Sequence, residues 1–157
     1  MTNTLKSICE QCVHLLNPQL DFIPEQPERH REIILRDLKE LVSAASMEQS
    51  KTVVVLAGCI FEGVLYCFIQ SQLAYIMLRR GGPFTFRPEH SLRNYVEIFN
   101  RYFSNVLSIP DLLVGYRDMV HINQELKYSP DHCRRAAEEM LRLLDRLLEK
   151  LAEYGTP

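Results

Sequence analysis

The apolar residues of this 157-residue chain recur mainly three and four positions apart, and no sustained alternation of apolar and polar residues is present. This spacing predicts α-helices, because it places the apolar side chains on one face of a helix. The sequence also contains no internal repeat and no low-complexity segment. We therefore predict an all-α fold with about five to six helices.

Proline, glycine and polar residues divide the chain into these helices. The first is predicted from Thr4 to Leu16, and a loop with Pro18, Pro24 and Pro27 follows it. The remaining helices are predicted over 28–45, 47–80, 91–106, a short segment after Pro110, and 129–154. Hydrophobic residues make up 46% of the chain, which suits one core, so 1–27 is assigned to the same domain as the bundle of 28–157.

One predicted helix contains an apolar run, Thr52 to Ile69, that approaches the length needed to span a bilayer. Glu62 lies in the middle of the run, and an acidic residue at mid-bilayer costs about 2.5–3.5 kcal/mol. We therefore interpret the run as a buried core helix and expect no membrane association. Gly58 and Gly63 lower helix propensity there, which predicts that another backbone packs closely against them.

Charge and cysteine content restrict the possible partners and the compartment. The formal net charge is -2, so any RNA contact must use a local basic patch and not a generally basic surface. The five cysteines, an odd number, and the missing secretory signal pattern predict a reducing, cytoplasmic location.

Cys9 and Cys12, with His14 nearby, suggest a zinc or redox site. A closed zinc site needs four ligands, and the other Cys/His pair, His132-Cys133, lies far away in the sequence. On a helix, Cys9 and Cys12 share a face with leucine and isoleucine residues, so we predict that they pack in the core. We expect no metal and no cofactor.

The run Arg117-Asp118-Met119-Val120-His121 is the strongest candidate for chemistry. A helix places Arg117 and His121 one turn apart on the same face. A guanidinium can hold a phosphate, and an imidazole can transfer a proton near neutral pH. The alternative is structural: an arginine in an ion pair and a histidine with its hydrogen bonds satisfied.

This run resembles the motif of the HEPN superfamily of small all-helical domains, an arginine, a polar residue, a short apolar stretch and a histidine. Residues 51–63 resemble an upstream helix of that superfamily, and 129–154 resembles its last amphipathic helix. The resemblance covers the chain from about residue 28 onward and implies a HEPN-like up-and-down helical bundle. The three residues between Arg117 and His121 are fewer than in the usual catalytic form of the motif.

The resemblance implies a metal-independent endoribonuclease of a defence or toxin-type system, acting on RNA as a homodimer with the motifs of both subunits in one cleft. Arg117 then binds the phosphate, His121 is the acid and base, and Asp118 orients them. The alternative is a non-catalytic HEPN-like module that binds RNA, a nucleotide or a partner protein from a neighbouring gene.

Glu62 is a possible supporting residue, since a carboxylate on an apolar helix needs a partner, and Arg117 could supply it. Such a pair is either structural or holds the guanidinium for a substrate. If the pair is buried, Glu62→Gln should cost on the order of 3–5 kcal/mol.

Overall fold

The fold is all-helical over the described residues, and it is built around one long apolar helix. The computed structural model describes residues 4–23, 29–87, 90–118 and 129–155, which contain eight helical segments and no strand. The segments are α1 (Leu5–Gln11), α2 (Val13–Leu16), α3 (His30–Ser46), α4 (Ser50–Ser71), α5 (Leu73–Arg80), α6 (Leu92–Phe103), α7 (Leu112–Asp118) and α8 (Pro130–Gly155).

Helix α4 lies at the centre, and α3, α6, α7 and α8 all pack against it. By length and composition it is the one helix in the described ranges that could cross a membrane, but 61% of its most apolar stretch is buried inside the protein. Phe61, Val64 and Leu65 are fully enclosed by the surrounding helices. A helix in the core of a protein can be equally long and apolar, and the packing around α4 explains its apolar sequence.

Two of the predicted helices are each divided in two, so the described segments outnumber the five to six predicted. The first helix breaks at Cys12, whose N–H donates to Cys9 O. The predicted 47–80 helix breaks at Gln72, just after Ser71, whose hydroxyl donates to Phe68 O. A hydroxyl bonded to a carbonyl of the preceding turn competes with the regular helical pattern and favours a bend.

Carboxylates distant in sequence cap the two short N-terminal helices. Glu48 accepts hydrogen bonds from Leu5 N at 2.9 Å and Lys6 N at 3.0 Å, at the start of α1. Asp145 on α8 accepts from His14 N at 2.8 Å and Leu15 N at 3.1 Å, at the start of α2. A carboxylate at a helix N-terminus accepts hydrogen bonds from the free N–H groups, and its charge interacts favourably with the helix dipole. These caps attach α1 and α2 to the rest of the bundle.

The cap at Glu48 should make stability depend on acidity. Burial raises the pKa of Glu48, but the hydrogen bonds from Lys6 and Leu5 outweigh it, and the pKa lies below its ordinary value of 4.5. A lowered folded pKa adds stability that is complete above the unfolded value and is lost as the pH falls through the folded value. We expect Glu48→Gln to lower the free energy of unfolding by about 1 kcal/mol at neutral pH. Below pH 4.5 this difference between parent and variant should become smaller, because the parent loses the charge of Glu48. Urea denaturation of parent and variant between neutral pH and pH values below 4.5 measures this difference. A difference that stays constant with pH would contradict the role of Glu48 as a cap.

Helix α6 begins where the sequence predicts. Ser91 N donates to Asn94 Oδ1 at 3.1 Å, which closes its first turn. Its aromatic residues Tyr95, Phe99 and Phe103 are buried, so this face covers the core and is not an exposed surface for a second subunit. The end predicted at residue 80 for the 47–80 helix is also confirmed as the end of α5, because Gly81 takes φ 77°, a left-handed conformation that suits glycine.

Candidate functional site

The structure brings Arg117, at the end of α7, to Glu62 in the middle of α4. Arg117 Nη2 lies 3.0 Å from Glu62 Oε2, and the two side chains are 36% and 26% exposed. The proposed pairing of these residues is therefore present. It differs from the expectation in burial, since a third of the guanidinium side chain remains in contact with solvent.

Gly58, one turn before Glu62, makes room for the arginine. A Cβ on Gly58 would lie 3.1 Å from Arg117 Cγ and 3.2 Å from Cδ, closer than ordinary contacts. The prediction of a close backbone was thus wrong in detail, because the neighbour at Gly58 is the aliphatic part of Arg117. At Gly63 the neighbour is also a side chain, Ile34 Cγ1 at 3.4 Å. Gly58 therefore lets the Arg117 stem lie across α4 and direct its charged end to Glu62.

Cys59 is the nucleophile nearest to this pair along α4, but it is held in its neutral form. Burial raises the pKa of the Cys59 thiol; Arg117 opposes the shift, and the carboxylates of Glu62 and Asp37 add to it. The residue as a whole is exposed at the surface. Since the thiolate is the reactive form, Cys59 is poorly suited to nucleophilic catalysis at neutral pH.

Asp118 and His121 are the other two candidate catalytic residues. Asp118 ends the described part of α7, is exposed, and makes no side-chain hydrogen bond or ion pair with any described residue. The resemblance implies that Asp118 orients both Arg117 and His121, and this role stays a prediction. His121 lies outside the described residues.

A hydrogen bond next to the motif fixes α7 on α8. The Tyr116 hydroxyl donates to Glu139 Oε2. Burial raises the pKa of Tyr116 to about 12, and the Glu139 carboxylate adds to this shift. The phenol therefore keeps its proton throughout the neutral range and remains a donor that joins α7 to α8, next to Arg117.

The N-terminal cysteines occupy the core, as predicted. Cys9 and Cys12 are 3% and 4% exposed. Burial, followed by the charge of Asp145, raises the pKa of Cys9 and raises that of Cys12 to about 12. Within the described ranges, no group of three or more His, Cys, Asp or Glu side chains could hold a metal ion.

The partial exposure of the Arg117–Glu62 pair reduces its expected contribution to stability. Exposed ion pairs contribute up to about 1 kcal/mol, whereas breaking a buried pair costs about 3–5 kcal/mol. We expect Glu62→Gln to lower the free energy of unfolding by about 1 kcal/mol. The matched control is Glu97→Gln, since Glu97 is exposed on α6 and forms no ion pair with the described residues. Equal denaturation midpoints for the two variants would contradict a stabilising pair.

Comparison with known proteins adds no relative: the chain matches no family model, no curated protein and no solved structure.

Proposed function

We propose that this chain is a HEPN-like domain that cleaves RNA without a metal ion. The observation that supports it best is the state of Arg117, whose guanidinium is held by Glu62 at 3.0 Å while the side chain remains 36% exposed. A phosphate-binding arginine needs both a fixed orientation and an open side. The resemblance of 117–121 to the HEPN motif supplies the reaction class.

In this proposal, the bond that breaks joins phosphorus to the 5'-oxygen of the next nucleotide. His121 takes the proton of the 2'-hydroxyl, whose oxygen attacks the phosphorus, and the protonated imidazole then gives a proton to the departing 5'-oxygen. Arg117 stabilises the negative charge that gathers on the non-bridging oxygens. The products are a cyclic phosphate and a 5'-hydroxyl end. Asp118 is proposed to orient Arg117 and His121, as the resemblance implies.

The proposal includes a second subunit and a cytoplasmic location. By resemblance, two chains pair so that both motifs line one cleft, and the exposed end of α7 leaves Arg117 open to such a partner. Light scattering at micromolar concentration is expected to give twice the 18.3 kDa mass of the chain. A monomer across that range would remove the shared cleft from the proposal.

A second candidate function is a non-catalytic HEPN-like module that binds RNA, a nucleotide or a partner protein. One observation favours it: Glu62 places a negative charge 3.0 Å from the guanidinium, which weakens the attraction of Arg117 for a phosphate. Here the pair is structural. This candidate predicts RNA or nucleotide binding that Arg117→Ala does not abolish.

The two candidates are separated by an assay on tRNA and on an unstructured RNA in the presence of chelator. Cleavage products that accumulate with enzyme concentration support the ribonuclease. Arg117→Ala should abolish them, and its fold should be checked by circular dichroism because the variant also loses the Glu62 contact. Binding without cleavage by the parent protein would favour the non-catalytic module for these substrates.

A further inference from the structure

A concave site lies between α7 and α8, and Tyr116, the residue before Arg117, is part of its lining. Its volume is about 270 Å³. Its accessible lining is mostly apolar and includes the side chains of Leu112, 54% exposed, and Leu143, half-buried. Leu113 and Met140, 1% and 0% exposed, close its floor from behind and connect it to the core.

The charges around this site are unevenly placed. Arg142 and Arg146 are exposed, one helical turn apart on α8, and both border the cavity. Neither guanidinium has an ion-pair partner in the described ranges. Among the described lining residues the carboxylate is Glu139, which is engaged by the Tyr116 hydroxyl at one end. The cavity thus combines an apolar floor with two available cations on its rim.

We propose that this cavity binds a small amphipathic anion, with an apolar chain along Leu112 and Leu143, over Met140, and a single acidic headgroup between Arg142 and Arg146. The headgroup chemistry follows from the two guanidiniums, which bind carboxylate or phosphate oxygens well. The apolar chain of the ligand is inferred from the apolar lining, since burying the chain there removes apolar surface from water. The volume lies just below the range of drug-sized ligand sites, which restricts the occupant to a small molecule and excludes a folded partner.

The site stands apart from the proposed cleavage chemistry, because Arg117 and Glu62 are not among its lining residues. A ligand there would nevertheless touch Tyr116, whose bond to Glu139 holds α7 on α8. The inference therefore holds whether or not the chain cleaves RNA.

Methionine methyl groups provide a local test, since Met140 lies on the floor while Met47 and Met77 are 59% and 39% exposed elsewhere. The protein is labelled with methyl-¹³C methionine, the Met140 signal is assigned with Met140→Leu, and sodium decanoate is added below its micelle concentration. We expect the Met140 signal to shift and saturate while those of Met47 and Met77 stay in place. Decyltrimethylammonium, with the same chain and the opposite charge, should produce no saturating shift.

The rim is tested with the double variant Arg142→Gln/Arg146→Gln, which should weaken decanoate binding at least tenfold. Arg101→Gln, an exposed arginine on α6, should bind as the parent does. Both changes are on exposed positions, and circular dichroism checks that each variant is folded. The proposal is overturned if Met140 does not respond to decanoate, if Met77 follows the same curve, or if the double variant binds with unchanged affinity.

Discussion

Replacing His121 with alanine is expected to lower the rate of metal-independent RNA cleavage by about 10²–10⁴-fold, the usual contribution of a general acid–base group. The helical spectrum and the oligomeric state should not change, because the imidazole is proposed to act on the substrate. Rates measured under single-turnover conditions, with chelator present, report the chemical step directly.

The matched control for this change is His14→Ala. His14 lies on α2, which packs mainly against α1, α3 and α8, and His14 Nε2 is 3.9 Å from Glu149 Oε1. This variant removes a histidine that lies outside the 117–121 run. Equal rates for His121→Ala and His14→Ala would exclude His121 as the acid and base, even if the parent protein cleaves RNA.

Phe68→Ala is expected to produce the largest loss of stability, about 3–5 kcal/mol, because the change leaves a cavity at the centre of the fold. Phe68 is 1% exposed on α4, and its ring centre lies 4.9 Å from that of Phe103, 5.4 Å from Tyr154 and 5.7 Å from Phe99. It therefore joins α4, α6 and α8. Urea or thermal denaturation of the purified protein measures the loss.

Leu78→Ala provides the comparison, since Leu78 is 80% exposed on α5. A surface change of this kind should alter stability by no more than about 0.5 kcal/mol. If Phe68→Ala were equally mild, α4 would not be the core helix on which the other elements pack. Solubility of the parent protein only in detergent would also contradict the assignment of α4 as a core helix.

Local patterns were sufficient to predict most of the helices, because their signals lie within a few residues of one another. Ser91 and Gly81, for example, mark the start of α6 and the end of α5 through bonds to residues three or four positions away. The breaks at Cys12 and Gln72 were missed, because the apolar spacing continues through both. The first break is accompanied by the cap from Asp145, more than a hundred residues later, which no local pattern contains.

The candidate site was predictable in part for a physical reason. Glu62 stands on an apolar helix, and the need to compensate its charge led to Arg117 as a partner. How α7 crosses α4 is a property of tertiary packing, so the sequence could not show that Gly58 receives the Arg117 stem or that the pair remains partly exposed. Nor could it show the nearness of Cys59 and Asp37, or the cavity beside Tyr116, which both depend on how separate helices meet.

The central claim, RNA cleavage through the 2'-hydroxyl by the Arg117/His121 motif, is tested most directly with two versions of one oligonucleotide. The parent protein first maps the cleaved position in an all-ribose strand with chelator present, and the second strand carries a 2'-deoxy nucleotide only at that position. The account predicts cleavage of the first strand to a cyclic phosphate and a 5'-hydroxyl end, and none at that position in the second. Cleavage of both strands there, or of neither by protein free of contaminating nuclease, would contradict it.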